Sequence, residues 1–181
     1  MNENELTGLL ESLRRMGSDD LSVEVKESAT TLSRDVWETV SAFANTAGGI
    51  IVLGVSERAG FVPVANFEIE KVLNQFVAGM GDAGGRGKLA NPPKYTVERV
   101  ELQGTVVLVI TIEELDPSSK PCYVIERGAQ GGSYKRIDDK DVPLSSTEVL
   151  ALASYGRATP SDRDAVAGAG ADDLDEALVD R

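Results

Sequence analysis

The sequence predicts a mixed α/β domain, with a mixed or mostly antiparallel sheet flanked by helices. Three observations carry that expectation. The stretch AFANTAGGIIVLGV (residues 42–55) runs a helical stripe straight into an unbroken apolar run. Such a run suits a strand covered on both faces, which needs a helix on at least one of them. The segments KYTVERVEL and TVVLVITI flank Gln103-Gly104 as the two arms of a hairpin. Apolar residues at helical spacing recur before, between and after these strands. At 181 residues the chain has room for one core and a tail.

In chain order, Leu6, Leu9, Leu10 and Leu13 predict an amphipathic helix over 3–15, closed by Gly17. Residues 20–26 alternate Leu21, Val23 and Val25 with Ser22, Glu24 and Lys26, the period of a strand with one buried face, so Glu24 and Lys26 share its polar face. Ser33 reads as an N-cap, with Asp35 in the first turn, for a helix to about Ala47 whose stripe is Val36, Val40, Phe43 and Ala44. Gly48 and Gly49 permit the left-handed stop and tight reversal into the strand at 50–55. Asn45 and Thr46 lie at a helix C-terminus, whose dipole disfavours anions, so all four residues read as structural, the first two bonding nearby backbone.

Residues 67–78 form a further helix through Ile69, Val72, Leu73, Phe76 and Val77, and the glycine-rich stretch 79–93 reads as a mobile loop. Short strands follow at 122–126 and 133–137, then a helix capped by Ser145 or Ser146 with Glu148 near its start. The Ala-, Gly- and Asp-rich segment beyond Gly156 has few large apolar residues. Residues 1–155 therefore read as the domain, and 156–181 as an acidic, disordered tail or a link to a further domain.

Composition narrows function. The chain carries 18 Lys plus Arg against 30 Asp plus Glu, a net charge of −12, so any contact with nucleic acid needs a local basic patch. Cys122 is the single cysteine and histidine is absent. An intrachain disulfide, a cysteine zinc cluster and His-dependent catalysis are thereby excluded. An acidic N-terminus and the lack of any apolar stretch near about 20 residues predict a soluble, cytoplasmic protein with no membrane contact.

Gly79, Gly81 and Gly84 spell G-x-G-x-x-G, but behind a helix pattern rather than a strand, so a dinucleotide site is not supported. Gly87-Lys88 resembles a Walker A loop, yet Asp82 stands where its first glycine belongs and Leu89 where a hydroxyl is needed. The same segment holds Arg86, Lys88 and Lys94 with no acid between Asp82 and Glu98. It is either a solvated loop or a phosphate-contacting arm. Lys135 and Arg136, beside the stacking ring of Tyr134, extend such a patch, although Asp138 and Asp139 dilute it. A third constellation is acidic. If strand 20–26 pairs with strand 50–55, Asp19, Glu24 and Glu57 converge beside Lys26 as ligands for magnesium or manganese. The alternative is a surface Glu24–Lys26 pair with unrelated acids nearby.

The strand SVEVKES, followed after one helix by SAFANTAGGIIVLGV and an acidic turn, resembles the Schlafen AlbA-like domain. The pattern continues with a hairpin, the Lys120-Pro121-x-Tyr123 segment, Gly132-Ser133-Tyr134-x-Arg136, and a Ser145-to-Glu148 helix start, covering about 16–155. The resemblance implies a nucleic-acid-binding module of bacterial transcriptional regulators, DNA more than RNA, also described as a divergent ATP-binding family. In animal Schlafens, related domains cleave RNA through a carboxylate triad. By motif, Glu24 matches the acid of a Glu-Phe-Lys signature in which Val25 here replaces the aromatic; Asp19 lies five residues before it and Glu57 in the acidic turn. Bacterial relatives continue into helical and winged-helix domains, so the chain reads as a fragment or a short form.

Three functions follow as expectations. The first is a nucleic-acid-binding regulatory module using Arg86, Lys88, Lys94, Tyr134, Lys135 and Arg136. The second is a metal-dependent endoribonuclease using Asp19, Glu24, Glu57 and Lys26 with magnesium or manganese. The third is an ATP-binding or protein-interaction domain whose acidic tail recruits a partner. A homo-oligomer is compatible with each.

Overall fold

The computed structural model describes residues 1–16 and 22–158. Its elements are α1 (Glu3–Met16), β1 (Val23–Lys26), α2 (Val36–Asn45), β2 (Gly49–Leu53), β3 (Val55–Ser56), β4 (Val62–Pro63), α3 (Ile69–Met80), β5 (Leu89–Ala90), β6 (Tyr95–Leu102), β7 (Thr105–Ile112), β8 (Tyr123–Val124), a one-turn α4 (Gly128–Gly132), β9 (Tyr134–Ile137), β10 (Lys140–Pro143) and α5 (Ser146–Ala158). The fold is mixed α/β, as the sequence predicts.

The central sheet runs β1-β2-β7-β6. A helical crossover returns the chain in the direction it left, so β1 pairs with β2 in parallel, Glu24 opposite Ile51. Tight connection reverses the chain, so β6 and β7 are antiparallel about Gln103 and Gly104, both at positive φ (51° and 77°). The strict two-residue period of β7 divides its side chains between two cores. Leu108, Ile110 and Ile112 join Ile51 and Leu53 beneath Val36, Val40 and Phe43 of α2 and Val72, Phe76 and Met80 of α3. Val107 and Val109 join Val23, Val25 and Val52 against Leu6, Leu10 and Leu13 of α1. Each fully buried side chain of this kind stabilises the fold by about 1.5–3 kcal/mol.

The α2–β2 junction is as tight as the sequence demands. Gly48, at φ +73°, donates its N–H to Phe43 O at 2.8 Å, and a Cβ there would stand 2.7 Å from Ile112 O. A Cβ on Gly49 would meet the Phe43 ring at 2.7 Å.

Several boundaries differ from expectation, each for a local reason. Asp35, not Ser33, precedes α2, because the Asp35 carboxylate is drawn to Lys26 and Ser33 Oγ donates to Asp35 instead of capping the helix. The apolar run 50–55 is two strands, split by Gly54 at φ +91°. Gly79 and Met80 belong to α3, and Leu89 and Ala90 pair with β8, so the glycine-rich segment is shorter than 79–93. The strand at 133–137 returns as β10 through a turn with Asp138 at φ +56°. The last helix extends to Ala158; the remainder of the predicted tail, like Asp19, lies outside the described residues. Among the described residues no helix is long and apolar enough to cross a membrane.

Candidate functional site

The end of α2 is tied down by its own side chains. Asn45 Nδ2 donates to the carbonyls of Cys122 and Tyr134, both at 2.9 Å, and its Oδ1 accepts the Cys122 N–H at 2.8 Å. Thr46 Oγ1 accepts the Arg136 N–H at 2.9 Å. Lys120 Nζ donates to Asn45 O at 2.9 Å, a cation at the negative end of the helix. These contacts fasten β8 and β9 to the core and commit both amide donors of Asn45 to backbone carbonyls. Cys122 is fully buried, which pushes its thiol up to about 12 and keeps it inert.

The polar face of β1 is not exposed. Glu24 and Lys26 lie on the α2 side of the sheet with side chains 15% and 8% exposed, and Arg136 enters from β9 at 2%. Each oxygen of Glu24 meets a cation: Oε1 lies 2.9 Å from Lys26 Nζ and Oε2 2.9 Å from Arg136 Nη2. Arg136 Nη1 pairs with Asp141 Oδ1 at 2.9 Å, and Lys26 reaches Asp35 Oδ2 at 2.8 Å. Thr39 Oγ1 donates to Asp141 Oδ2 at 2.6 Å. Burial works against the charge on Lys26, but Glu24 and Asp35 outweigh it and raise the pKa of the ammonium. The pair expected at the surface is therefore an interior ion network.

The predicted carboxylate triad is not assembled by the described residues. Glu57 sits in the turn between β3 and β4 and lines a small pocket with Val25, Glu27 and Arg58. Val25 and Glu27 alternate with Glu24 and Lys26, so Glu24 and Glu57 serve opposite sides of β1. Both Glu24 oxygens are already neutralised, a donor set that does not fit a divalent ion. No group of three or more His, Cys, Asp or Glu among the described residues could hold a metal.

The basic residues also part company. Tyr134 is 4% exposed and unavailable for stacking; its hydroxyl accepts a hydrogen bond from Arg127. Arg136 is interior, and Lys135, on the other face of β9, pairs with Glu148. Lys94 lines a separate pocket with Asp82, Tyr95 and Glu113. There burial first, and then the hydrogen bond Tyr95 gives Asp82 at 2.6 Å, push the phenol up to about 12.

Arg86 and Lys88 do meet other cations, at a site the sequence reading missed. A cleft of about 570 Å³ is lined by Arg34, Trp37, Lys88, Val124, Glu126 and Arg127. Arg34, Trp37 and Lys88 also line an adjoining hollow of about 390 Å³ that adds Arg86 and Gly79. Arg34 comes from the turn before α2, Trp37 from the first turn of α2, and Arg127 from the turn entering α4. Lys88 is held by backbone bonds on both sides, its N–H to Gly79 O at 2.6 Å and its carbonyl to the Ile125 N–H at 2.9 Å. Two of the cations are paired: Lys88 with Glu126, which also lines the cleft, at 2.8 Å, and Arg127 with Glu38 at 2.7 Å. Lys88's hydrogen bond, aided by Arg34 and Arg127, holds the Glu126 carboxyl below its ordinary range. One carboxylate thus reports three converging cations. Among the described residues, Arg34 and Arg86 have no ion-pair partner.

A βαβ crossover extended by an antiparallel hairpin, bearing a basic cleft beside its crossover helix, defines a small α/β domain. The chain belongs to the Schlafen, AlbA_2 family, whose model matches residues 19–145. Among solved structures it is similar to the N-terminal domain of a RecG-related protein from Nitrosomonas europaea, determined by solution NMR. That likeness has 28% identity and a TM-score of 0.55, covering 75% of this chain and 90% of the other. It is also similar to a Corynebacterium diphtheriae protein at 17% identity and a TM-score of 0.49, covering 86% of this chain and 28% of that one. Comparison with curated proteins finds no match.

Proposed function

We propose that this chain is a nucleic-acid-binding module, DNA-directed and regulatory in role, that holds the phosphate backbone in the cleft formed by Arg34, Arg86, Lys88 and Arg127. The observation that carries the reading is the gathering of these four cations around Trp37 in a chain of net charge −12. Scattered cations would give a uniformly repulsive surface; a local cluster within a Debye length of about 10 Å attracts a polyanion despite the whole. Family membership supports this, as does the name of the Nitrosomonas europaea relative, which relates it to an ATP-dependent DNA helicase.

The test is anisotropy of a labelled oligonucleotide at several salt concentrations. Binding weakens as salt rises, and replacing Arg34 and Arg86 by Ala lowers the logarithmic salt slope by roughly one unit per lost phosphate contact. Lys94→Ala leaves the slope unchanged. Absence of binding at low salt, or an unaltered slope in the double variant, overturns the reading.

A further inference from the structure

We infer that the cleft takes single-stranded nucleic acid, with an unpaired base stacked on the indole of Trp37 and its flanking phosphates against Arg34, Arg86 and Lys88. This rests on the reading of the cleft as a nucleic-acid site and specifies what enters it.

Trp37 is the only residue besides Arg34 and Lys88 that lines both hollows, so it stands where they meet. Its ring is fixed from behind. Phe76 stacks against it with centroids 5.6 Å apart and planes 21° from parallel. Gly79 lets α3 approach so closely that a Cβ there would fall 2.1 Å from the indole edge. Phe76 is itself pinned edge-on by Tyr95, at 5.3 Å and 76°. An aromatic plate already immobilised by core contacts loses little further freedom when a base settles on it. The hollows that Trp37 lines are also lined by Arg34, Arg86 and Lys88. An indole between cations is the combination that single-strand grooves use, in which a ring takes the base face and cations take the backbone.

Duplex geometry argues the other way. In a duplex each base face is covered by its neighbours, and only base edges and phosphates are offered to a protein. A recessed ring can meet a base face only where the strand is unpaired. The chemistry is common to DNA and RNA, since every base has a π-face and every link a phosphate.

Trp37 is the single tryptophan, so its emission reports this site without a label. The full chain is titrated with a deoxythymidine oligomer of about 15 nucleotides, near the upper site size of single-strand grooves. The ribo-oligomer, a duplex and an abasic oligomer of the same length serve as parallel arms. One or both single strands quench the emission and bind about tenfold more tightly than the duplex and the abasic strand. Trp37→Leu loses about that factor for single strands and nothing for the abasic strand, and Trp37→Phe recovers most of it. Preference for the deoxy or the ribo arm identifies the source. A duplex bound as tightly as either single strand, or tight single-strand binding with Trp37 emission unchanged, overturns the inference. In that case retention of the Arg34 and Arg86 salt dependence leaves the cleft as an electrostatic site, whereas no binding in any arm removes both readings. The quenching arm uses the unaltered protein, so the test survives a Trp37 variant that fails to fold.

Discussion

Arg136 has both terminal nitrogens committed, Nη2 to Glu24 and Val23 O and Nη1 to Asp141, while Nε has no hydrogen-bond partner and the guanidinium lies 5.3 Å from the Phe43 centroid. A charge desolvated this fully gains little net stability from its partners, but its removal strands theirs. Arg136→Met is accordingly expected to destabilise the fold by about 3–5 kcal/mol, read as a lower urea midpoint with an unchanged m-value. A loss below about 0.5 kcal/mol, the range of a surface substitution, would mean that the network does not form. At this scale the sequence was legible in part. The helix C-terminus, which repels anions, pointed to backbone hydrogen bonds for Asn45 and Thr46, and both make them. Arg136 was not recognisable as structural, although the alternation Tyr134-x-Arg136 places both on one strand face, and an aromatic on that face signals the core. Arg34 and Arg127 escaped notice because Asp35 and Glu126 adjoin them in sequence and cancel their charge there; only the fold brings them to Lys88.

At the scale of elements, α5 depends on the reciprocal cap at its start. Ser145 N–H donates to Glu148 Oε2 at 2.8 Å, and the Glu148 N–H donates to Ser145 Oγ at 3.3 Å. The hydrogen bond from Lys135 first, and then those from Ser145, bring the Glu148 carboxyl down to about 2. A group whose pKa is depressed on folding contributes stability above its unfolded value, near 4.3, and loses it as pH falls towards the folded value. Wild type should therefore melt above Glu148→Gln at neutral pH, with the gap closing between about pH 4.3 and 2. A gap independent of pH would show that the carboxylate's charge is not what α5 uses. The serine-to-glutamate spacing made this cap readable in advance. The two-residue strands β4 and β5 were not, since alternation over two residues carries no period, and their pairing is imposed by the helices and turns around them.

Across the whole molecule, the proposed function raises an electrostatic problem, that of a polyanion approaching a body of net charge −12. The cleft meets it only partly, because Glu126 already occupies Lys88 and faces Arg34 and Arg127. An incoming phosphate must displace that carboxylate or accept its repulsion. Glu126 is fully ionised at neutral pH, since its pKa is shifted downward by Lys88, so the competition is present under ordinary conditions. Glu126→Gln keeps the shape and an acceptor for Lys88 while deleting the charge. The lost ion pair is exposed, 50% at Lys88 and 73% at Glu126, so folding stability should scarcely change. Affinity for an oligonucleotide should rise instead, by about 1.5- to 5-fold at low salt, a modest factor because the pair is exposed. The gain should fade as salt shortens the screening length. Anisotropy titrations of wild type and Glu126→Gln at low and high salt measure it directly. Equal or weaker binding by the variant would place the polyanion somewhere other than this cleft, because charge removed from the true site of contact cannot leave the attraction unimproved.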